Sequence, residues 1–183
     1  MTQLSYSALI IDHDDSFIWN IKFWLEPEFK VTMIHHAHTS SLNLGHYDLI
    51  VLSPGPKSPQ DYPLSLKLLS TLQQPVLGIC LGFQMMTMVS RGSVEAYSPP
   101  KHGKTSLLKS QAPFDQLAVG RYHSLHCKPG EDFKVLATSL DDNCIMWSEH
   151  KTKKQIGFQF HPESFLTESA DLYKKYILEW MPS

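Results

Sequence analysis

The residue best placed to do chemistry in this chain is Cys80, in the run Val76-Leu-Gly-Ile-Cys80-Leu-Gly-Phe-Gln84. An apolar strand-like stretch passes directly into a helical one, and Gly78 and Gly82 flank the thiol at minus two and plus two. Glycines at those positions let a strand and the following helix approach without Cβ clashes, so the chain can turn sharply and hold the corner residue outward. A cysteine there sits at a helix N-terminus, where the helix dipole favours an anionic sulfur. The Leu81 N–H, free of an intrahelical partner, is placed to donate to an oxyanion. The same spacing also fits an inert cysteine buried in a glycine-rich turn. Cys127 and Cys144 have no comparable setting and read as filler thiols.

A thiolate nucleophile needs a proton acceptor, and the acceptor needs a group to orient it. Phe158-Gln-Phe-His161-Pro-Glu163-Ser164 supplies both. Proline holds the residue before it in an extended conformation, and in an extended chain residues two apart point to the same side. His161 and Glu163 are therefore expected to face one another, although a surface His-Pro-Glu turn carries the same letters. A second oxyanion donor is available in Ser53-Pro-Gly55-Pro56, where Gly55 can present its N–H with no side chain in the way.

These groups must be carried by a scaffold that brings residues about 80 positions apart to one edge. Ala8–Asp12, Val31–Ile34, Asp48–Leu52 and Pro75–Ile79 read as short, nearly all-apolar strands. Between them, Phe17–Leu25 (capped by Asp15 and Ser16), Leu64–Leu72 and Gly82–Val89 carry helical spacing. That alternation predicts an α/β protein with a parallel sheet buried on both faces. Further strand-like runs at Thr105–Leu108, Leu117–Arg121, Phe133–Thr138, Cys144–Ser148 and Gln155–Phe160 suggest strands that extend the sheet and an antiparallel flap at its edge. A last helix, Ser169–Trp180, places Leu172, Tyr173, Tyr176, Ile177 and Trp180 on one stripe.

The chain has 183 residues, 42% hydrophobic and 19% charged, which suits one folded domain over 1–183. A net charge of −2, from 16 basic and 18 acidic side chains, predicts no nucleic-acid or anionic membrane partner. The first residues lack a basic segment, and the apolar run Ala8–Ile11 is too short for a signal peptide or a membrane span. Three cysteines with no CxxC spacing suggest free thiols and a cytoplasmic location.

Taken together, the segments from Leu9 to about Ser169 resemble the class I (triad-type) glutamine amidotransferases, and within them the glutaminase subunits of anthranilate synthase and aminodeoxychorismate synthase. Ile11-Asp-His-Asp-Asp-Ser-Phe17 looks like the N-terminal element of that branch, Ser53-Pro-Gly-Pro56 its oxyanion loop, and Gly78-Ile-Cys-Leu-Gly-Phe-Gln84 its elbow. His102-Gly-Lys104, Arg121-Tyr-His-Ser-Leu125 and Phe158-Gln-Phe-His-Pro-Glu-Ser164 complete the series. The resemblance implies a flavodoxin-like three-layer sandwich around a mostly parallel central sheet. It implies Cys80 as nucleophile, His161 as general base then acid, and Glu163 as its orienter. Gly55 and Leu81 would serve the oxyanion, with Gly55, Gln84, Ser124 and Leu125 around L-glutamine. It also implies a chorismate-binding synthase partner that receives the ammonia. No cofactor is expected. The sequence departs from the family pattern at Lys57, where the oxyanion loop usually has a second glycine, and at Val89-Ser-Arg-Gly92, which lacks the usual Phe-Gly-Gly.

Rival readings are a γ-glutamyl hydrolase or peptidase on the same scaffold, and a regulatory subunit without catalysis. A metal site from His35, His36 and His38 with Asp12 to Asp15 is not expected. The histidine spacing matches no common zinc pattern, and neighbours on a strand point oppositely. His123 lies inside one of the matched segments, beside the residues expected around glutamine.

Overall fold

The computed structural model describes residues 6–41 and 43–182. Strands β1 (Tyr6–Asp12), β2 (Phe29–His35), β3 (Leu49–Leu52) and β4 (Val76–Ile79) alternate with helices α1 (Ile18–Leu25), α2 (Pro63–Thr71) and α3 (Leu81–Val89). Then follow β5 (Ser93–Lys109), β6 (Ala118–Lys128), β7 (Phe133–Ser139), β8 (Ile145–His150), β9 (Gln155–Phe158) and α4 (Ala170–Trp180). The sheet order is β2-β1-β3-β4-β9-β8-β7-β5-β6. Its first five strands pair in parallel, and the rest are antiparallel.

The apolar strands are continuous runs because alternate residues enter two different cores. Ala8, Ile10, Leu49, Val51, Leu77 and Ile79 face one side, where they meet Ile21, Leu25, Tyr173 and Ile177 of α1 and α4. Leu9, Ile11, Ile50, Leu52 and Val76 face the other, against Leu69 of α2 and Leu81, Met85 and Met86 of α3. This gives the expected α/β three-layer arrangement, helix pair, sheet and helix pair. The stripe on α4 is also as expected: Tyr173, Ile177 and Trp180 are buried, with Leu172 and Tyr176 packed beside them.

Two local expectations change. Asp15 and Ser16 do not cap α1, since no side-chain cap bond forms at Phe17, the residue before it. Asp15 instead accepts a bond from the Phe17 N–H at 3.2 Å. The flap is also longer than expected. β5 and β6 pair from Ser93↔Lys128 to Leu107↔Ala118, interrupted by irregularities between Ala96 and Lys101 and between His102 and Lys104. Pro99, Pro100 and Gly103 (φ +64°) occupy those breaks, so they bend a long strand of which the sequence suggested only Thr105–Leu108.

Candidate functional site

Cys80 occupies the turn between β4 and α3 with φ +51° and ψ −100°, a backbone conformation that L side chains rarely adopt. Two contacts hold it there. Its N–H donates to the Phe158 carbonyl at 2.7 Å, which ties the turn to β9. Gly82 sits against β3 so closely that a Cβ would lie 2.3 Å from the Leu52 carbonyl oxygen. A Cβ on Gly78 would stand 2.5 Å from the Met86 sulfur and 2.6 Å from the Gly82 carbonyl carbon. Both glycines are therefore required by the close approach of strand and helix.

β4 and β9 are parallel neighbours and end together, so the chain leaving β9 carries His161 to the same edge as Cys80. His161 is fixed by its own backbone: its N–H donates to the Gly120 carbonyl at 3.0 Å, and its carbonyl accepts from the Thr167 hydroxyl at 2.6 Å. Its ring Nδ1 lies 2.8 Å from Glu163 Oε1. Tyr122 packs edge-on against the ring with centroids 5.0 Å apart. The opposite nitrogen, Nε2, is buried with no hydrogen-bond partner among the described residues. Burial opposes a charge on this imidazole, but the Glu163 carboxylate and the nearby Cys80 sulfur outweigh it and hold the ring's pKa well above its usual range.

These groups line one cleft of about 720 Å³ at the carboxyl ends of the strands. Cys80, His161, Glu163 and Gly55 all border it. Gly55 is forced by its surroundings, since a Cβ would meet the His13 carbonyl oxygen at 2.5 Å and Leu81 Cδ2 at 2.7 Å. Leu81 is buried beneath that loop and, with Gln84, Ser124 and Leu125, is not part of the cleft lining. Gln84 is buried within α3, and the strand carrying Ser124 and Leu125 is paired to β5, with Leu125 opposite Ala96. Lys57 is exposed and lies outside the left-handed region, so its side chain imposes no backbone strain where the family loop has glycine.

His123 is not at the cleft. It is buried beside Arg121, whose Nε donates to His123 Nε2 at 3.0 Å, while His123 Nδ1 pairs with the Leu125 carbonyl at 2.8 Å. Burial and the Arg121 charge push its pKa down to about 3, so it is a neutral hydrogen-bonding link. Arg121 itself is fully buried and pairs with Asp142 at 2.7 Å, which anchors the flap to the turn after β7.

Two residues to which sequence reasoning assigned no catalytic role join the site. The Gln159 amide donates to the Cys80 sulfur at 3.6 Å, and its carbonyl oxygen accepts from the Cys127 thiol at 3.5 Å. Asp15 lines the cleft, and burial, reinforced by the Glu163 charge, raises its carboxyl pKa. Gln159 lies two positions before His161 and shares its alternation, which is the one clue the sequence held. Chemically, the arrangement offers a sulfur nucleophile on a strained corner, an imidazole beside it oriented by a carboxylate, and a backbone N–H on the facing loop.

The Cys127 and Cys144 thiols are buried and free, and burial pushes Cys144 up to about 11. Among the described residues, no helix is long and apolar enough to cross a membrane.

Comparison with known proteins places these features in a family. The family described as Glutamine amidotransferase class-I matches residues 9–180. Anthranilate synthase component 2 of Methanocaldococcus jannaschii is 38% identical over 174 residues, covering 90% of this chain and 88% of that protein. Anthranilate synthase component 2 of Archaeoglobus fulgidus is 37% identical over 169 residues, covering 88% and 91%. Among solved structures, a glutamine amidotransferase of Thermotoga maritima superposes with a TM-score of 0.74 at 19% identity, over 96% of this chain and 94% of that one, a likeness of fold.

Proposed function

The chain belongs to the class-I glutamine amidotransferase family, and from that premise we propose that it is a glutaminase subunit whose reacting groups are Cys80, His161 and Glu163. The observation that carries this reading is the division of labour on one imidazole. Nδ1 of His161 is bonded to Glu163 at 2.8 Å, while the buried Nε2 has no hydrogen-bond partner among the described residues, and the Cys80 sulfur is near enough to help raise the ring's pKa.

In the proposed reaction the Cys80 thiolate attacks the side-chain carboxamide carbon of L-glutamine. The resulting oxyanion takes hydrogen bonds from the backbone N–H groups of Gly55 and Leu81, each worth ~3–4 kcal/mol where such donors have been removed. Protonated His161 gives its proton to the departing nitrogen, and ammonia leaves. The same ring then takes a proton from water, which hydrolyses the γ-glutamyl thioester and releases glutamate. Glu163 keeps the ring in the tautomer that serves the sulfur and stabilises its charged form. Gln84, Ser124 and Leu125 would hold the amino-acid end of glutamine.

Ammonia released into water is protonated and loses its nucleophilicity, so a glutaminase of this kind needs a partner that consumes it. We assign the partner as a chorismate-binding synthase. The anthranilate synthase component 2 relatives, each matched over most of its length, favour anthranilate over aminodeoxychorismate as the product. Residues 1–183 are taken to act as one amidotransferase domain in the cytoplasm.

The test is to isolate the chain with its bound synthase and follow glutamate release and aminated chorismate. Cys80→Ser should abolish glutamine-dependent product while added ammonia still supports it. A glutamine-analogue electrophile should label Cys80 alone. Turnover of γ-glutamyl peptides without turnover of glutamine would replace this reading with a γ-glutamyl hydrolase. Absence of labelling at Cys80 would make the chain a non-catalytic subunit.

A further inference from the structure

We propose that Asp14, His35 and His36 form a binding site for a divalent transition-metal ion of the zinc type, at the rim of the cleft. Nothing in the glutaminase reaction uses these three residues as ligands, and their placement follows from the fold. β1 and β2 are parallel neighbours with Asp12 opposite His35, so the segments leaving both strands emerge side by side at the carboxyl edge of the sheet. Adjacent residues on a strand diverge, which is why the sequence argued against a site here. That expectation fails because β2 ends at His35 and a 3-10 helix begins at His36. The change of backbone geometry between them turns both rings toward the carboxylate of Asp14.

The distances suit a metal ion. Asp14 Oδ1 lies 3.0 Å from His35 Nε2, and Oδ2 lies 3.5 Å from His36 Nε2. All three residues offer ligand atoms within 4.8 Å of one another. With zinc–nitrogen bonds of about 2.0–2.1 Å, tetrahedral ligands stand about 3.3 Å apart, so small side-chain rotations bring the set onto one ion. Two imidazoles and one carboxylate favour zinc or a similar borderline ion over calcium or magnesium, which require more oxygen ligands. Three protein ligands leave a position for water.

The half-buried His36 is already oriented. Its ring stacks on His13 with centroids 5.8 Å apart and planes 11° from parallel, and it meets the edge of Tyr62 at 4.8 Å. His13 is occupied elsewhere, with its ring nitrogens 3.2 Å from the Ser53 hydroxyl and 2.9 Å from the Ser65 hydroxyl. It therefore supports His36 as a packing surface and is not itself a ligand. Packing on two rings restricts the rotamers of His36, so less side-chain freedom is lost when it binds an ion. Asp14 also lines the catalytic cleft, so a bound ion would fix one of its walls.

The experiment uses untagged full-length protein titrated with Co²⁺ and then Zn²⁺, read by visible absorption and calorimetry. The expected result is one equivalent of ion, with the d–d bands of a four-coordinate nitrogen–oxygen site and no sulfur charge-transfer band, displaced by Zn²⁺. Asp14→Asn and His35→Ala should each weaken binding by roughly tenfold or more. His35 is solvent-facing and His36 packs on two rings, so His35→Ala is the variant that keeps its thermal midpoint. Weak unsaturable binding, binding unchanged in His35→Ala, or a sulfur band that disappears with Cys80→Ser would each overturn the proposal.

Discussion

The side-chain amide of Gln159 reaches across from the end of β9 to donate to the sulfur of Cys80 at 3.6 Å. The two residues are 79 positions apart, and the contact exists because β4 and β9 are parallel neighbours that end together. Gln159 is fully buried and also accepts from Cys127, so the amide cannot turn away into water. Gln159→Leu keeps the volume and removes the donor. Its expected effect is roughly two- to tenfold slower alkylation of Cys80, about what one hydrogen bond is worth, with little change in fold. Mass-spectrometric alkylation rates at fixed pH measure it, and equal rates would remove Gln159 from the site.

Glu163 is expected to set the pH range of the reaction. The ring of His161 is held well above its usual pKa chiefly because the Glu163 charge, helped by the Cys80 sulfur, overcomes burial. In the proposed reaction the acylation step needs this ring protonated, so activity should persist to alkaline pH and fall as pH rises through the elevated value. Glu163→Gln should lower kcat by about 10²–10⁴-fold, the range for losing an oriented acid–base group, and move the alkaline limb to lower pH. The stability that this pair contributes is fully present below the unfolded histidine value, near about 6.5, and is lost as pH rises through the folded one. A pH profile of kcat/KM for the two proteins, with melting curves over the same range, checks both points.

Asp15 carries the opposite sign. Burial first, then the Glu163 charge, raises its folded pKa, so its ionised form opposes folding. That penalty is absent below the unfolded carboxyl value, near about 3.9, and develops as pH rises through the folded one. Asp15→Asn keeps an oxygen for the Phe17 N–H and should raise the thermal midpoint at neutral pH, with the gain vanishing in acid. Melting curves across pH test it, and a lower midpoint at neutral pH would contradict it.

Gly82 should tolerate no side chain. A Cβ there would lie 2.3 Å from the Leu52 carbonyl oxygen and 2.7 Å from Leu52 Cβ, with backbone as the obstacle. Gly82→Ala should cost about 1–3 kcal/mol or more, because α3 must back away from β3. The same shift moves the corner residue, so activity should fall further than stability alone explains. Denaturant unfolding and glutaminase assays on one preparation separate the two losses.

Two phenylalanines at the cleft mouth are exposed without packing to explain them: Phe165 is 91% and Phe17 58% accessible. Apolar side chains in such a place cost little stability when removed and matter when a partner covers them. Phe165→Ser should leave the melting midpoint unchanged and weaken association with the synthase, measured by analytical ultracentrifugation of the mixed subunits.

The sequence by itself determined the features that depend on neighbours in the chain. The glycine-flanked corner at Cys80, the His161–Glu163 pair around its proline, and the buried strands were all legible because turn chemistry and side-chain alternation act over a few residues. The contacts that only tertiary structure decided are those between segments far apart. Gln159 meets Cys80 through strand order, and half-buried Asp15 comes within range of the Glu163 charge only because the chain returns there. His35 and His36 face one carboxylate because a strand gives way to a 3-10 helix between them, a change that no periodicity announced. The long flap was hidden for a related reason, since Pro99, Pro100 and Gly103 break the local strand pattern before Thr105, and only pairing with β6 carries the strand through them. Local sterics and periodicity write themselves into short spans of sequence. Packing between distant segments depends on where the chain returns, and that is set by the whole fold at once.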